Sequence, residues 1–170
     1  SWPGQIDSTL REYIMDCRTF FIILVASALA LPALAETEIH FSPHGGCEDM
    51  IVGSMDESKK TIDAAVYSLN NPRIAAALIR AQKRGVKVRL LLDRTQAAGR
   101  TNKVLLQQLL ASGIALRLHS KHRIEHNKFG VYDGLKVSTG SFNWTAPAEE
   151  KNSENCVGLD DAKSVANFAG

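Results

Sequence analysis

The segment at 61–93 constrains the fold more than any other part of the sequence. A β-rich run (61–69) is followed by a helical pattern that begins at Pro72 and ends at Gly85. Proline suits the first turn of a helix, and glycine commonly follows its last turn. The next run, VKVRLLLD (86–93), is almost wholly apolar, which is typical of a parallel strand buried on both faces. The segment therefore predicts a β-α-β arrangement within an α/β domain.

The rest of the chain extends this pattern and then departs from it. We predict a strand over 37–42, helices over 46–60 and 102–113, a strand over 114–119, and a polar connection over 94–101. Asp133-Gly134 predicts a hairpin between two further strands, before a last strand over 154–160 and a helix from residue 162. We expect a single domain over 36–170, with a mixed β-sheet flanked by helices on both faces.

The first 35 residues differ in composition from the rest. The twelve-residue apolar run at 20–31 follows Arg18 and precedes small residues, so we interpret 15–35 as a signal peptide and 1–14 as an upstream, non-native segment. The run is shorter than the ~20 residues of a membrane span, although a retained anchor or a buried helix remains an alternative. We expect a secreted or periplasmic protein with no stable membrane span after cleavage. Its last predicted helix is interrupted at the end of the sequence, which suggests a truncated C-terminus.

Two cysteines, Cys47 and Cys156, remain in the expected mature chain. An oxidising compartment would permit a disulfide between them. Sequence spacing cannot place the two side chains near each other, so we favour two separate buried thiols over a bridge.

Polar residues around the predicted hairpin form a candidate site. His126 and Lys128 lie two apart and share a strand face, as do Ser141 and Asn143 if their segment is extended. The turn at 133–134 folds the second pair back beside the first. An ammonium with neutral donors suits a phosphoryl group, and a histidine beside them can act as its nucleophile. Glu154 or Asp133 would orient the imidazole.

A metal site is the alternative use of the histidines. His119, His122 and His126 lie within eight residues, and such clusters can bind zinc. They do not share one strand face by parity, and no Cys-x2-Cys accompanies them. We therefore expect no metal and no other cofactor.

The combined spacing resembles a known family. The pattern H-x-K-x4-D over 126–133, followed by G-S-x-N over 140–143, resembles the signature of the phospholipase D superfamily. The segments at 65–93 and 112–145 are similar to its small secreted bacterial endonucleases, the Nuc subfamily. The resemblance implies the phospholipase D/nuclease fold and metal-independent phosphodiester hydrolysis through a phosphohistidine.

The resemblance also implies roles for individual residues. The implied catalytic set is His126, Lys128, Asp133, Ser141, Asn143 and Glu154. His126 would attack phosphorus, while Lys128 and Asn143 would bind the phosphate oxygens. Ser141 would support the phosphate or the histidine, and Glu154 would hydrogen-bond the histidine. Asp133 would be structural or orienting.

A single motif leaves the reaction without its second group. The displacement needs a general acid as well as a nucleophile, and family members with two motifs supply both histidines from one chain. This chain has one motif, so we expect a homodimer in which the two copies of His126 face each other.

The substrate must be chosen by residues around the motif. The net charge of +2 is too small to argue for a polyanion. Candidate substrate-binding residues are Arg94, Lys121, His122, Arg123 and Trp144. The basic ones would follow a nucleic-acid backbone, and the indole would stack on a base. The alternatives are a solvated surface for the cations and a core position for the indole. We predict a non-specific endonuclease for DNA or RNA; the alternatives are a phospholipase D acting on phosphatidylcholine-type lipids and a non-catalytic nucleic-acid-binding protein of the same fold.

Overall fold

The structure is a computed structural model that describes residues 35–169, except for the side chains of residues 100 and 101. The predicted signal peptide and the segment before it therefore lie outside the described residues, apart from residue 35. Within the described range, no helix is both long and apolar enough to cross a membrane.

The described residues form seven strands and six helices. The strands are β1 (Thr37–Ser42), β2 (Thr61–Val66), β3 (Lys87–Asp93), β4 (Ala115–His119), β5 (Lys128–Tyr132), β6 (Lys136–Gly140) and β7 (Glu154–Leu159). The helices are α1 (Cys47–Glu57), α2 (Pro72–Lys83), α3 (Arg94–Ala97), α4 (Arg100–Ala111), α5 (Ala146–Glu150) and α6 (Ala162–Ala169). The short helices α3 and α5 were not predicted from the sequence.

All seven strands belong to one sheet, in the order β1-β7-β6-β5-β2-β3-β4. Strands β2, β3 and β4 are parallel to one another. From β2 to β5, β6, β7 and β1, every neighbouring pair is antiparallel. The prediction of an α/β fold with a mixed sheet is therefore confirmed.

The crossover helix α2 begins and ends at the residues that the sequence indicated. The side chain of Asn71 accepts hydrogen bonds from the N–H groups of Arg73 and Ile74, at 2.9 and 3.1 Å, so it caps the first turn. Pro72 occupies the start of the helix, where a missing N–H costs nothing. Gly85 follows the last turn with φ of 91°, a conformation that other residues adopt reluctantly.

Two clusters of buried apolar residues hold the elements together. The larger cluster combines residues of α1, α2, β2, β3 and α4 and includes Trp144. The smaller cluster joins Val131 and Val137 of the hairpin to Val165 of α6. Neighbouring residues on a strand point to opposite faces, so Val131 lies in the smaller cluster whereas Tyr132 lies in the larger one.

Cys47 and Cys156 form a disulfide, so the preference for two separate thiols was wrong. Cys47 begins α1, Cys156 lies in β7, and their Cα atoms are 5.7 Å apart. The strand pairing explains the proximity, because β1 lies beside β7 and leads directly into α1. The two cysteines are 109 residues apart in the sequence, so local sequence patterns could not predict this contact.

The hairpin turn between β5 and β6 has the predicted conformation and an additional structural role. Asp133 and Gly134 have φ of 54° and 66°, and the N–H of Leu135 donates to the carbonyl of Tyr132 at 2.9 Å. The Asp133 carboxylate also accepts three backbone N–H bonds, at 2.7–2.8 Å, from residues 59–61. Asp133 therefore fastens the connection between α1 and β2 to the hairpin.

Because of these bonds, Asp133 should stabilise the fold in a pH-dependent way. Burial alone would raise its pKa, but the three N–H donors outweigh burial and lower the pKa below 3.8. A lowered folded-state pKa contributes stability that is fully present above the unfolded-state value. That stability is lost as the pH falls through the folded-state pKa.

We expect Asp133→Ala to lower the free energy of unfolding by about 2–3 kcal/mol at pH 7, because three N–H groups lose a charged acceptor. Asp133→Asn is the matched control, since asparagine also tolerates positive φ and keeps one acceptor oxygen. It should lose less stability at pH 7, and this loss should shrink as the pH falls through the lowered folded-state pKa of Asp133. Urea unfolding of the three proteins between pH 7 and pH 2.5 measures both effects. Equal stability of the asparagine variant and the unaltered protein at pH 7 would contradict a role for the charge.

Candidate active site

The motif residues other than Asp133 lie near one end of the sheet, the end at which the parallel strands β2, β3 and β4 finish. Val66, the last residue of β2, pairs with Lys128, the first residue of β5. Strand β6 finishes with Gly140 at the same end of the sheet. There Ser42, the last residue of β1, pairs with Glu154, the first residue of β7. The carboxyl ends of parallel strands in α/β sheets commonly carry binding sites. Here the antiparallel strands beside β2 bring the motif to that end of the sheet.

Lys128 places a buried ammonium group at this end of the sheet. Its side chain donates to the carbonyl of His126 at 2.7 Å, and its Nζ lies 4.9 Å from the centroid of the Tyr67 ring. Burial lowers its pKa below 10.5, and the nearby carboxylates of Glu154 and Glu125 partly offset this effect. A carbonyl and a ring face hold the ammonium, which leaves its charge available to an anionic ligand.

His126, whose backbone carbonyl accepts from this ammonium, is exposed to solvent. Its ring centroid is 4.5 Å from that of Tyr67, with the two planes inclined by 56°. His126 and Lys128 therefore contact the same tyrosine ring. An exposed imidazole next to a buried cation can act on an anionic group bound between them.

Glu154 belongs to a hydrogen-bond network beside this pair. One of its carboxylate oxygens accepts from the Ser141 hydroxyl at 2.6 Å, and the other accepts from the Asn152 amide at 3.0 Å. The Ser141 hydroxyl in turn accepts from the N–H of Asn155 at 3.0 Å. Within the described residues, Glu154 makes no hydrogen bond to His126, which differs from the role that the resemblance implied.

Asn143 and Trp144 follow the end of β6 and have different surroundings. The Oδ1 atom of Asn143 is buried, and no donor among residues 35–169 bonds to it. Trp144 is only 1% exposed and forms an isolated bridge with Leu69. The prediction that Trp144 stacks on a base is therefore wrong, because its indole fills the larger core cluster.

The three neighbouring histidines have separate contacts in the structure. The rings of His119 and His122 stack at 5.3 Å, and the Nε2 atom of His119 accepts the N–H of His122 at 2.9 Å. Nδ1 of His119 lies 3.6 Å from a carboxylate oxygen of Glu125, whereas His126 packs on Tyr67. The described part of the chain contains no group of three or more His, Cys, Asp or Glu side chains arranged around one metal position.

Comparison with protein families identifies the chain. The family described as "Cardiolipin synthase, PLD-like domain" matches residues 51–170. The chain belongs to the phospholipase D-like family. This match covers the crossover helix, the motif residues and the last strand.

Individual relatives extend the comparison. The chain is 37% identical over 128 residues to a phospholipase D of Rickettsia conorii, covering 75% of this chain and 63% of that protein. It is 32% identical over 114 residues to a mitochondrial cardiolipin hydrolase of Chlamydomonas reinhardtii, covering 67% of this chain and 50% of that protein. The chain thus spans about half to two thirds of the length of these relatives.

A solved structure of a phospholipase D family member, Nuc from Salmonella typhimurium, has the same fold. The TM-score is 0.77 at 35% sequence identity, and the match covers 79% of this chain and 90% of Nuc. The resemblance to the phospholipase D/nuclease fold is therefore confirmed.

In this phospholipase D-like chain, the basic residues predicted to bind substrate lie at the same end of the sheet as His126 and Lys128. Arg94 is exposed at the start of α3, directly after β3. Lys121, His122 and Arg123 are exposed in the connection that follows β4. Only the last three belong to the connection that contains His126.

Asp133 is the motif residue that the structure separates from the others. It follows the last residue of β5, whereas Lys128 is the first. Five residues of extended strand correspond to about 16 Å, so the Asp133 carboxylate lies at the opposite end of the sheet, beyond the last residue of β5. Asp133 is therefore a structural residue and not a catalytic one, which corrects the prediction. Its contacts do not support the alternative that it orients His126.

Asp93 is a site-supporting residue that the sequence interpretation missed. It is buried, and it caps α3 by accepting the N–H groups of Thr95 and Gln96 at 2.9 and 3.0 Å. Its other oxygen accepts the N–H of Glu125 at 2.9 Å, directly before His126. Burial would raise its pKa, but hydrogen bonds from these groups and from the Thr95 hydroxyl lower it to about 2. A lone acidic residue that ends an apolar strand was the available signal.

Proposed function

We propose that the chain is a metal-independent phosphodiesterase, most simply a non-specific endonuclease, that acts through a phosphohistidine on His126. The observation that carries the proposal is the pairing of an exposed imidazole with a buried ammonium held by neutral groups. Such an ammonium favours the binding of a phosphodiester anion next to the nucleophile. Family membership supports the reaction class.

The reaction would proceed in two displacements at phosphorus. A neutral nitrogen of His126 attacks, a P–N bond forms, and the P–O bond to the leaving alkoxide breaks as that oxygen receives a proton. Water then attacks the phosphohistidine, the P–N bond breaks, and the product phosphate monoester leaves. Lys128 and the Asn143 amide would stabilise the charge on the non-bridging oxygens in both steps.

A homodimer would supply the general acid. The chain has one copy of the motif, whereas the first displacement needs a group that protonates the leaving oxygen. In a two-fold dimer, His126 of the second copy occupies the equivalent position and can donate that proton. The acid in the first displacement becomes the base that activates water in the second.

Nucleic acid is the substrate that the exposed cations favour. Lys121, Arg123 and Arg94 offer positive charge without side chains that read base edges, which suits non-specific contact with a phosphate backbone, and His122 is exposed between the first two. The likeness to Nuc supports this choice. Signal-peptide cleavage and export to the periplasm or beyond form part of the proposal, and the disulfide supports an oxidising compartment.

A phospholipid substrate is the second candidate. The relatives named phospholipase D and cardiolipin hydrolase point to lipid phosphodiesters. Ile124 is 42% exposed between the basic residues and His126, so it offers an apolar contact to a lipid surface.

The choice can be made with the purified protein in EDTA. We expect nicking of supercoiled plasmid that survives the chelator, with hydrolysis of phosphatidylcholine or cardiolipin vesicles at least about tenfold slower. Raising the salt from 50 to 200 mM should weaken DNA binding about tenfold or more, because phosphate contacts release counterions. Faster hydrolysis of either lipid would support the phospholipase alternative, and DNA binding without cleavage of any diester would support the non-catalytic one.

A pair of matched variants tests the contribution of the basic connection. Lys121→Ala/Arg123→Ala should lower kcat/KM on DNA about tenfold and reduce its salt dependence, because two phosphate contacts are lost. Lys83→Ala/Lys87→Ala is the control, because it also removes two exposed cations, at the end of α2 and the start of β3, at the opposite end of the sheet. Equal effects of the two changes would indicate that overall charge, rather than this connection, binds DNA.

A further inference from the structure

We propose that Tyr67 is a positioning residue that holds the His126 imidazole and the Lys128 ammonium in one fixed arrangement. Tyr67 follows the last residue of β2, between the two functional groups and α3. This inference rests on the proposed function, because it assigns to those two groups the reaction described above.

The tyrosine ring is the contact that the two groups share. The His126 ring centroid lies 4.5 Å from the Tyr67 ring centroid, and the Lys128 Nζ lies 4.9 Å from it. A ring face attracts an ammonium, and an inclined aromatic pair limits the rotation of an exposed imidazole. Without the ring, an exposed histidine and a long lysine side chain would each sample several rotamers.

Tyr67 is itself fixed at both ends. Its N–H donates to the carbonyl of Asn127 at 2.8 Å, which fastens its backbone beside the motif. Its hydroxyl accepts a hydrogen bond from the Gln96 side chain at 3.0 Å. A ring anchored at both ends can impose a position on its neighbours rather than follow them.

The anchor of the hydroxyl continues into buried structure. The N–H of Gln96 is bound by Asp93, and its carbonyl accepts from the amide of Asn102 at 2.6 Å. Asp93 also holds the N–H of Glu125, the residue before His126. The Tyr67 ring and the connection that carries the nucleophile are thus fixed to the same buried carboxylate.

This arrangement predicts different effects for the ring and for the hydroxyl. Tyr67→Leu removes the ring, so we expect kcat on plasmid DNA to fall about 30-fold while KM changes less than threefold. Tyr67→Phe keeps the ring and its backbone anchor, so kcat should stay within about threefold. Gln96→Leu, which removes the same hydrogen bond from the other side, should match the phenylalanine variant.

Kinetics of the three variants and the unaltered protein, together with crystal structures of the two Tyr67 variants, test the proposal. In Tyr67→Phe, the His126 ring and the Lys128 Nζ should superpose on their original positions. In Tyr67→Leu, at least one of them should move by more than about 1 Å or become disordered. A rise in KM at unchanged kcat would assign Tyr67 to substrate contact and overturn the proposal.

The crystallographic result separates this inference from the proposed function. If the unaltered protein cleaves no diester, the proposed function fails, but the positions of the two side chains in the variants still decide the role of Tyr67. If both side chains keep their positions in Tyr67→Leu, the positioning role is wrong whatever the activity. A melting temperature close to that of the unaltered protein is required of each variant, and Tyr67→Met, which also lacks the ring, provides the same test if the leucine variant does not fold.

Discussion

Replacing His126 by alanine is expected to lower the rate of phosphodiester cleavage by at least about a thousandfold, because the nucleophile is lost. The side chain is exposed, and its described contact is with Tyr67, so the change should leave the fold intact. The measurement is initial rates of plasmid nicking in EDTA, together with rapid acid- or alkali-quench trapping of a labelled covalent adduct. The unaltered protein should show an adduct, and the alanine variant should show none.

The control for this change is His40→Ala. His40 lies on edge strand β1, where it contacts Glu38 and the carbonyl of Gly45. This variant should retain the activity of the unaltered protein. The alanine variant of His126 should also sediment like the unaltered protein, so that loss of activity reflects lost chemistry rather than lost assembly. Retention of more than a tenth of the activity without an adduct would contradict nucleophilic catalysis by His126.

Removing the disulfide is expected to cause the largest loss of stability. Cys47 and Cys156 are 109 residues apart, and closing a loop of that length stabilises a folded chain by roughly 4–5 kcal/mol through the entropy of the unfolded state. We expect Cys47→Ser/Cys156→Ser to lower the free energy of unfolding by about 4 kcal/mol, and the melting temperature by roughly 10–15 °C. Urea and thermal unfolding measure the two quantities.

The reducing agent provides the control for this prediction. Dithiothreitol should destabilise the unaltered protein and leave the double serine variant unchanged. Equal stability of the unaltered protein with and without reductant would show that the two thiols are not bonded in solution. Burial of both cysteines, at 0% and 1% exposure, means that reduction should require local opening or partial unfolding.

The elements predicted from sequence were those with a long local pattern. The apolar run of β3, the capped helix α2 and the turn at 133–134 each carry several consistent signals. The helices α3 and α5 contain four and five residues, too few to show a helical period. Their caps, the side chains of Asp93 and Thr145, were single residues that the sequence interpretation did not weigh.

The motif predicted a set of site residues but not where each one lies. Sequence spacing placed Asp133 in the same set as His126 and Lys128. Strand β5 separates them, however, so Asp133 lies at the opposite end of the sheet. Strand parity predicted a shared direction for His126 and Lys128, but only Lys128 belongs to β5, and His126 lies in the connection before it, so parity does not apply to this pair. The contacts of Tyr67 and the bond between the cysteines join distant segments, so they depended on the strand order.

The disulfide makes most of the described chain a covalent ring. Residues 47–156 lie within it, including His126, Lys128, Asn143 and Glu154. A protease that cuts one exposed connection within this ring, such as that before His126, would leave a single covalent molecule rather than two fragments. Both His126 and Lys128 would therefore stay joined to the rest of the core after such a cut.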